Sequence, residues 1–268
     1  MKQFCKTNKG TMILLLGILL FFVFVSCGST NKPKNSVVAD AMTTLREDLP
    51  FKLEGLGKVR DIDYEGNTIL FQMRIQEDAA NGMDVSMINH KKSLAKEIIS
   101  AQIGMLSDQM KDALKKIAEQ SFGLRVIVNG SDSNQGFIEL TPNEINIALS
   151  NIPFKTQDDF SLGMVALTTR LLLPTQVDEI TAWIDTRMTD NTFEYVYRIN
   201  DGGIDLNSIN VNMLKNEKMT MFRQNMDVLG NVVGLCISTR RNIICRYIGN
   251  HSNKTIDVVL TPTDLETL

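Results

Sequence analysis

Four cysteines and two histidines bound the chemistry open to this chain of 268 residues. His90 and His251 stand far apart, at no spacing that suggests metal ligation, so both read as solvated surface residues and no metal is expected. There is no glycine-rich phosphate loop, nucleophile elbow or HExxH pattern. Ser121 and Ser133 lie among polar residues with no partner that the sequence nominates as a base. No catalytic residue and no cofactor is expected. Cys5 and Cys27 fall in or at the end of an N-terminal leader, which leaves Cys236 and Cys245 as the thiols of the mature chain. Their spacing is not CxxC, which argues against a catalytic redox pair. In an oxidising compartment they are either a disulfide or two buried small hydrophobes.

Two further pairs of charges stand out because they recur. Asp61 matches Asp185 and Arg74 matches Arg198 at one constant offset. They form a repeated polar surface available for binding, or they occupy the wet face of a hairpin where alternation requires polar residues anyway. The methionines, including Met213, Met219, Met221 and Met226, read as core filling or as an adaptable groove.

The residues that position these groups begin with the leader. The apolar run from Met12 to Val25 is fourteen residues, whereas a membrane-spanning helix needs about 20. Lys2, Lys6 and Lys9 precede it without an acidic residue and the small Ser26 follows, the three-zone pattern of a signal peptide over residues 1–26. The end of the run, Phe24-Val25-Ser26-Cys27, resembles the lipobox of bacterial lipoprotein precursors, with Phe24 where that family usually has Leu. The resemblance implies that the Cys27 sulfur receives a diacylglyceryl group, that cleavage precedes it and that the new amino terminus is acylated. One acyl chain holds a protein to a membrane marginally, and two or three hold it firmly. Residues 27–36 are polar, with Gly and Pro, and read as a lipidated flexible tether. Gly28 is not the Asp of the inner-membrane sorting rule, so the resemblance implies an outer-membrane lipoprotein facing the periplasm. Loss of three leader lysines moves the net charge from −3 to −6, and a mildly acidic chain without a basic block is a poor nucleic-acid ligand.

The mature part is duplicated. The 27 residues from Leu49 align without a gap on those from Leu173, an offset of 124, pairing Leu49-Pro50 with Leu173-Pro174, Asn67-Thr68 with Asn191-Thr192 and Arg74-Ile75 with Arg198-Ile199. Leu140-Thr141-Pro142 then matches Leu260-Thr261-Pro262 at an offset of 120. Two matches in the same order mark an internal repeat. Within each copy, alternation at Ile69, Phe71, Met73 and Ile75, and at Phe193, Tyr195, Tyr197 and Ile199, predicts a half-buried strand preceded by a hairpin partner. A helical period follows over 86–120 and 206–239, broken near Gly104, and a second hairpin closes each copy. The expected fold is α+β: two tandem β-β-α-α-β-β units over 37–150 and 151–268, each a four-stranded antiparallel sheet with helices on one face. A leading helix before each copy and a linker between Pro142 and Asp158 complete the layout.

The "LP", "GNT" or "DNT" and "FEYVYRI" pattern resembles a loose group of bacterial exported lipoproteins that carries no settled activity. The functional expectation is therefore a membrane-anchored, non-enzymatic binding module for an envelope protein, a peptide or a cell-wall ligand. The alternative is a periplasmic hydrolase in which Asp61 and Asp185 meet across an inter-domain groove.

Overall fold

The computed structural model describes residues 33–75, 85–130, 134–151, 154–203 and 205–268. The leader, Cys27, most of the tether and Ser133 lie outside the described residues. The last two tether residues belong to the folded body instead. Asn35 Oδ1 accepts the Val37 and Val38 amides at 3.0 and 3.3 Å and so caps the leading helix α1, Ser36–Glu47.

In the first repeat α1 is followed by β1 (Phe51–Leu53), β2 (Gly57–Glu65) and β3 (Thr68–Ile75), then by α2 (Val85–His90), α3 (Lys92–Gly104) and α4 (Asp108–Glu119). The repeat ends with β4 (Gly123–Asn129), β5 (Gln135–Leu140) and α5 (Pro142–Ser150). In the second repeat α6 (Gln157–Leu172) leads into β6 (Thr175–Gln176), β7 (Thr181–Met188) and β8 (Thr192–Ile199). After a single 3-10 turn at Leu206–Ser208 come α7 (Val211–Gln224), α8 (Met226–Ser238), β9 (Asn242–Gly249), β10 (Thr255–Leu260) and α9 (Pro262–Leu265).

The α+β class and the tandem sheet-plus-helix layout are present, but the sheets differ from the expectation. Each has five strands, ordered β1-β2-β3-β4-β5 and β6-β7-β8-β9-β10, and each is mixed because β3 pairs parallel with β4 and β8 with β9. The reason lies in the helical segment. Chain leaving the end of β3 must return across the sheet before β4 begins, and a helical crossover delivers the next strand parallel to the last. The extra strands β1 and β6 have three and two residues, too few to show an alternating period. The segment read as a linker is mostly helix: Thr141 and Glu144 form a capping box that starts α5, with Pro142 at its first turn.

Matched detail supports the duplication. Both repeats carry a cis bond, Leu49–Pro50 and Leu173–Pro174, and both have one bulge, between Val59 and Asp61 and between Trp183 and Asp185. Ser121 and Arg240, at matching places after α4 and α8, both adopt positive φ. Capping boxes open both closing helices, Thr141 with Glu144 and Thr261 with Asp264.

Helix α6 belongs to the second repeat by sequence, yet it serves two cores. Phe160, Met164 and Leu171 enter the first, while Leu162 and Ala166 enter the second, so opposite faces of one helix join the repeats. From the first repeat, Lys91 Nζ donates to the carbonyls of Arg170 and Leu173 at the end of α6, where a cation meets the unpaired carbonyls of the last turn.

The β9–β10 turn is held by Asp201, a buried carboxylate that accepts the His251 and Ser252 amides at 2.7 and 3.1 Å. The Ser252 hydroxyl, then these amides, lower its pKa to about 2. A depressed carboxylate pKa stabilises the fold fully above the unfolded value and loses that contribution as pH falls toward the folded one. The wild-type thermal midpoint is therefore expected to drop more steeply than that of Asp201→Asn between about pH 4 and 2, and parallel acid limbs in calorimetry would refute this.

Candidate functional site

The repeats enclose a cleft of ≈ 690 Å³. Helix α3 supplies Lys96 and Glu97, α5 supplies Glu144, and α6 supplies Asp159 and Arg170. Strand β7 and the turn after it bring Asp185, Thr186, Arg187 and Asp190, and Arg241 lies beyond α8. Aliphatic and aromatic surface from Ile147, Phe154, Ala166, Leu167 and Met188 lies between the charges.

Every charged side chain that lines the cleft among the described residues has an opposite partner. Lys96 meets Glu144 at 2.7 Å, Arg187 meets Asp185 at 2.7 Å and Lys155 meets Asp190 at 3.5 Å. Arg170 reaches Asp185 at 3.2 Å and Glu97 of the first repeat at 3.5 Å, so one guanidinium bridges the two halves. Arg241 donates to Asp159, both nearly closed to water, and its Nε donates to the Thr189 carbonyl at 2.9 Å. Asp159 stays ionised below the usual carboxylate range: burial opposes this, and the Arg241 guanidinium with the Thr156 cap outweighs it. Lys96, then the Thr141 amide, hold Glu144 down to about 2.

Comparison of the repeats shows how the cleft was built. Arg46, the match of Arg170, donates through Nε and Nη2 to the Ile62 carbonyl at 2.9 and 2.6 Å, tying α1 to its own sheet. Arg170 spans the cleft instead. Thr186 replaces the fully buried Ile62, and its hydroxyl is the buried side-chain polar atom without a partner among the described residues. Asn35 and Phe122 occupy the places of Asp159 and Arg241.

The recurrent aspartates have a local role that spacing alone does not reveal. Each directly follows the bulged residue and accepts the next backbone amide at 2.9 Å, Asp61 from Ile62 and Asp185 from Thr186. Only Asp185 also lines the cleft; Asp61 is exposed and is not among its described lining residues. Arg74 and Arg198 are exposed on their strands, outside that lining. Of the four recurrent charges, the described lining of the cleft thus takes in Asp185. His90 and His251 are exposed and bond the Ser86 carbonyl and Asn200.

Cys236 in α8 and Cys245 in β9 are free, buried thiols rather than a disulfide. Burial pushes them up to about 12 and about 11, so both are protonated at neutral pH and inert as nucleophiles. Their matches, Ile117 and Val126, are core residues too. Among the described residues no group of three or more His, Cys, Asp or Glu side chains is placed to hold a metal ion, and no helix is long and apolar enough to cross a membrane.

The cleft is shaped by Gly163. A Cβ there would stand 2.1 Å from the Phe154 ring, which packs edge-on against Phe160 with centroids 5.5 Å apart. Gly163→Ala is expected to cost about 1–3 kcal/mol by overpacking, despite the better helix propensity of Ala. In urea melts the Phe154→Ala background should shrink that cost, and an equal cost in both backgrounds would rule out the clash.

No protein-family model, no curated protein and no solved structure matches this chain, so the cleft and its paired charges are what a functional reading has to rest on.

Proposed function

We propose that the chain is a non-enzymatic binding module of the bacterial envelope, anchored through lipid on Cys27 at the outer membrane, that holds an envelope protein, a peptide or a cell-wall ligand between its two repeats. The observation that carries the binding part is the complete pairing of charges in the cleft. A general acid or base needs a carboxylate free to exchange protons near neutral pH, whereas Glu144 is held near 2 by Lys96; Asp185 is the shared ion-pair partner of Arg170 and Arg187. Alternating cations and anions around apolar surface suit a ligand with both signs of charge, as a peptide-like chain has, and ≈ 690 Å³ lies within the usual range for ligand sites. The hydrolase reading required Asp61 and Asp185 to face one another, and Asp61 does not line the cleft.

Two measurements test the two parts separately. Labelled palmitate should enter the wild type and not Cys27→Ser, and the variant should leave the membrane fraction; unchanged fractionation would end the anchoring claim. A photo-crosslinking amino acid in place of Ser100, on the cleft wall, should give a discrete adduct in intact cells, whereas one in place of Arg198 should not. Identical patterns from both positions would remove the cleft as the binding site.

A further inference from the structure

A second, smaller slot of ≈ 330 Å³ lies between α7 and the second sheet. Its floor is aromatic. Tyr197 and Tyr247 are register partners on β8 and β9, with rings 5.0 Å apart and within 18° of parallel. The ammonium of Lys218 sits 5.5 Å from one centroid and 5.4 Å from the other. Asp178 and Glu217 also line the slot, among aliphatic residues such as Ile199 and Leu214.

The first repeat is an internal control for whether this is ordinary core. There the matching positions are Met73 and Val128, both fully buried, and α2 closes that end of the sheet with Val85 and Ile88, which crowd Gly130 and Gly136. Aliphatic side chains therefore suffice for packing at these positions. In the second repeat they are two stacked, near-parallel phenol rings beside a cation, and among the described residues neither phenol hydroxyl has a hydrogen-bond partner and no carboxylate lies within 4.0 Å of the Lys218 ammonium. An ammonium resting on aromatic faces is attracted by the ring quadrupoles, the interaction by which proteins recognise alkylated ammonium groups.

We propose that the Tyr197–Tyr247 slot binds an organic ammonium ion, and that Lys218 is the tethered occupant this ligand displaces. Charge complementarity selects the sign. Two carboxylates against one ammonium leave the slot net negative, and it becomes more so once Lys218 swings out. An anionic amphiphile would meet Asp178 and Glu217 with only Lys218 in its favour.

The test uses the full chain in detergent, titrated with tetramethylammonium chloride against sodium chloride at matched ionic strength. Trp183, the single tryptophan, is a built-in reporter because its ring lies 6.4 Å from that of Tyr197. Lys218→Met removes the competitor from a half-exposed position and is expected to lower the Kd for tetramethylammonium at least tenfold. Tyr247→Leu in that background should abolish the gain, while Tyr247→Phe, which keeps the ring, should retain it. Equal affinity of Lys218→Met and wild type would overturn the proposal, as would retained binding in the Tyr247→Leu double variant. Dodecanoate bound by the wild type and lost in Lys218→Met would overturn it in favour of an anion site.

Discussion

Arg241→Leu is expected to lose about 3–5 kcal/mol of unfolding free energy, because it strands an ionised Asp159 where water has little access. The loss has a structural path. Asp159 Oδ2 accepts the Thr156 amide at 3.1 Å and the Thr156 hydroxyl accepts the Asp159 amide at 3.1 Å, so the same carboxylate caps α6 and receives Arg241. Arg241 also holds the Thr189 carbonyl of the β7–β8 turn. One guanidinium therefore ties the start of α6 to the rim of the second sheet. Urea melts supply the check, and so does a double variant. Asp159→Asn with Arg241→Phe installs the residues of the first repeat, Asn35 and Phe122, and removes both charges together. Replacing a buried pair with uncharged groups is often neutral, whereas breaking it is not. The double variant should thus recover most of the loss. If it is as unstable as Arg241→Leu, the cost comes from packing and not from an unpaired charge.

That pair also shows where sequence reading stops. The alternation of Ile69 to Ile75 exposes β3 because a sheet with one wetter face stamps its two-residue period on the chain, whereas β8 keeps the alternating sequence but is buried on both faces from Phe193 to Tyr197, Glu194 and Val196 included. The helical stretches, the break at Gly104 and the two closing hairpins were legible for the same reason. Parallel pairing of β3 with β4 leaves no such stamp, since a strand's period is the same whichever way its neighbour runs. The cleft is less legible still. Its residues come from α3, α5, α6, β7 and the turn before β9, so no local window contains them.

The two copies carry a signal of their own. Aligning the repeats draws attention to Asp61 and Asp185, which are alike because each serves a bulge. The places that build the sites are those that differ: Arg46 tied to a carbonyl against Arg170 across the cleft, Ile62 against Thr186, Phe122 against Arg241, Met73 against Tyr197. Shared residues in a duplicated chain report what both copies need to fold. Function is better sought among the positions where one copy has departed from the other.

Phe222→Ala tests that idea on the second repeat, where α7 is anchored unusually lightly. Phe222 is the buried residue of this fourteen-residue helix, and its ring meets Tyr195 edge-on with centroids 6.2 Å apart. Polar ties add Lys215 to Asp264 at 2.7 Å and Arg223 to the Thr267 carbonyl at 3.4 Å, both toward the C-terminal segment. Val211 and Met213 at its start are exposed. Truncating a buried Phe costs about 3–5 kcal/mol through lost transfer energy and the cavity left behind. Here the cost should be paired with a local effect, because Phe222 is the buried anchor of α7 while Leu214, Met219 and Met221 pack only partly against the core. Amides of α7 should lose hydrogen-exchange protection further than those of α3, whose Ile98, Ile99 and Ile103 are buried together. Since α7 also carries Lys218, the variant should weaken the interaction between that ammonium and the two tyrosines. Uniform loss of protection across both helices would mean that α7 opens only with the whole fold, and that the slot beneath it has no independent freedom to admit a ligand.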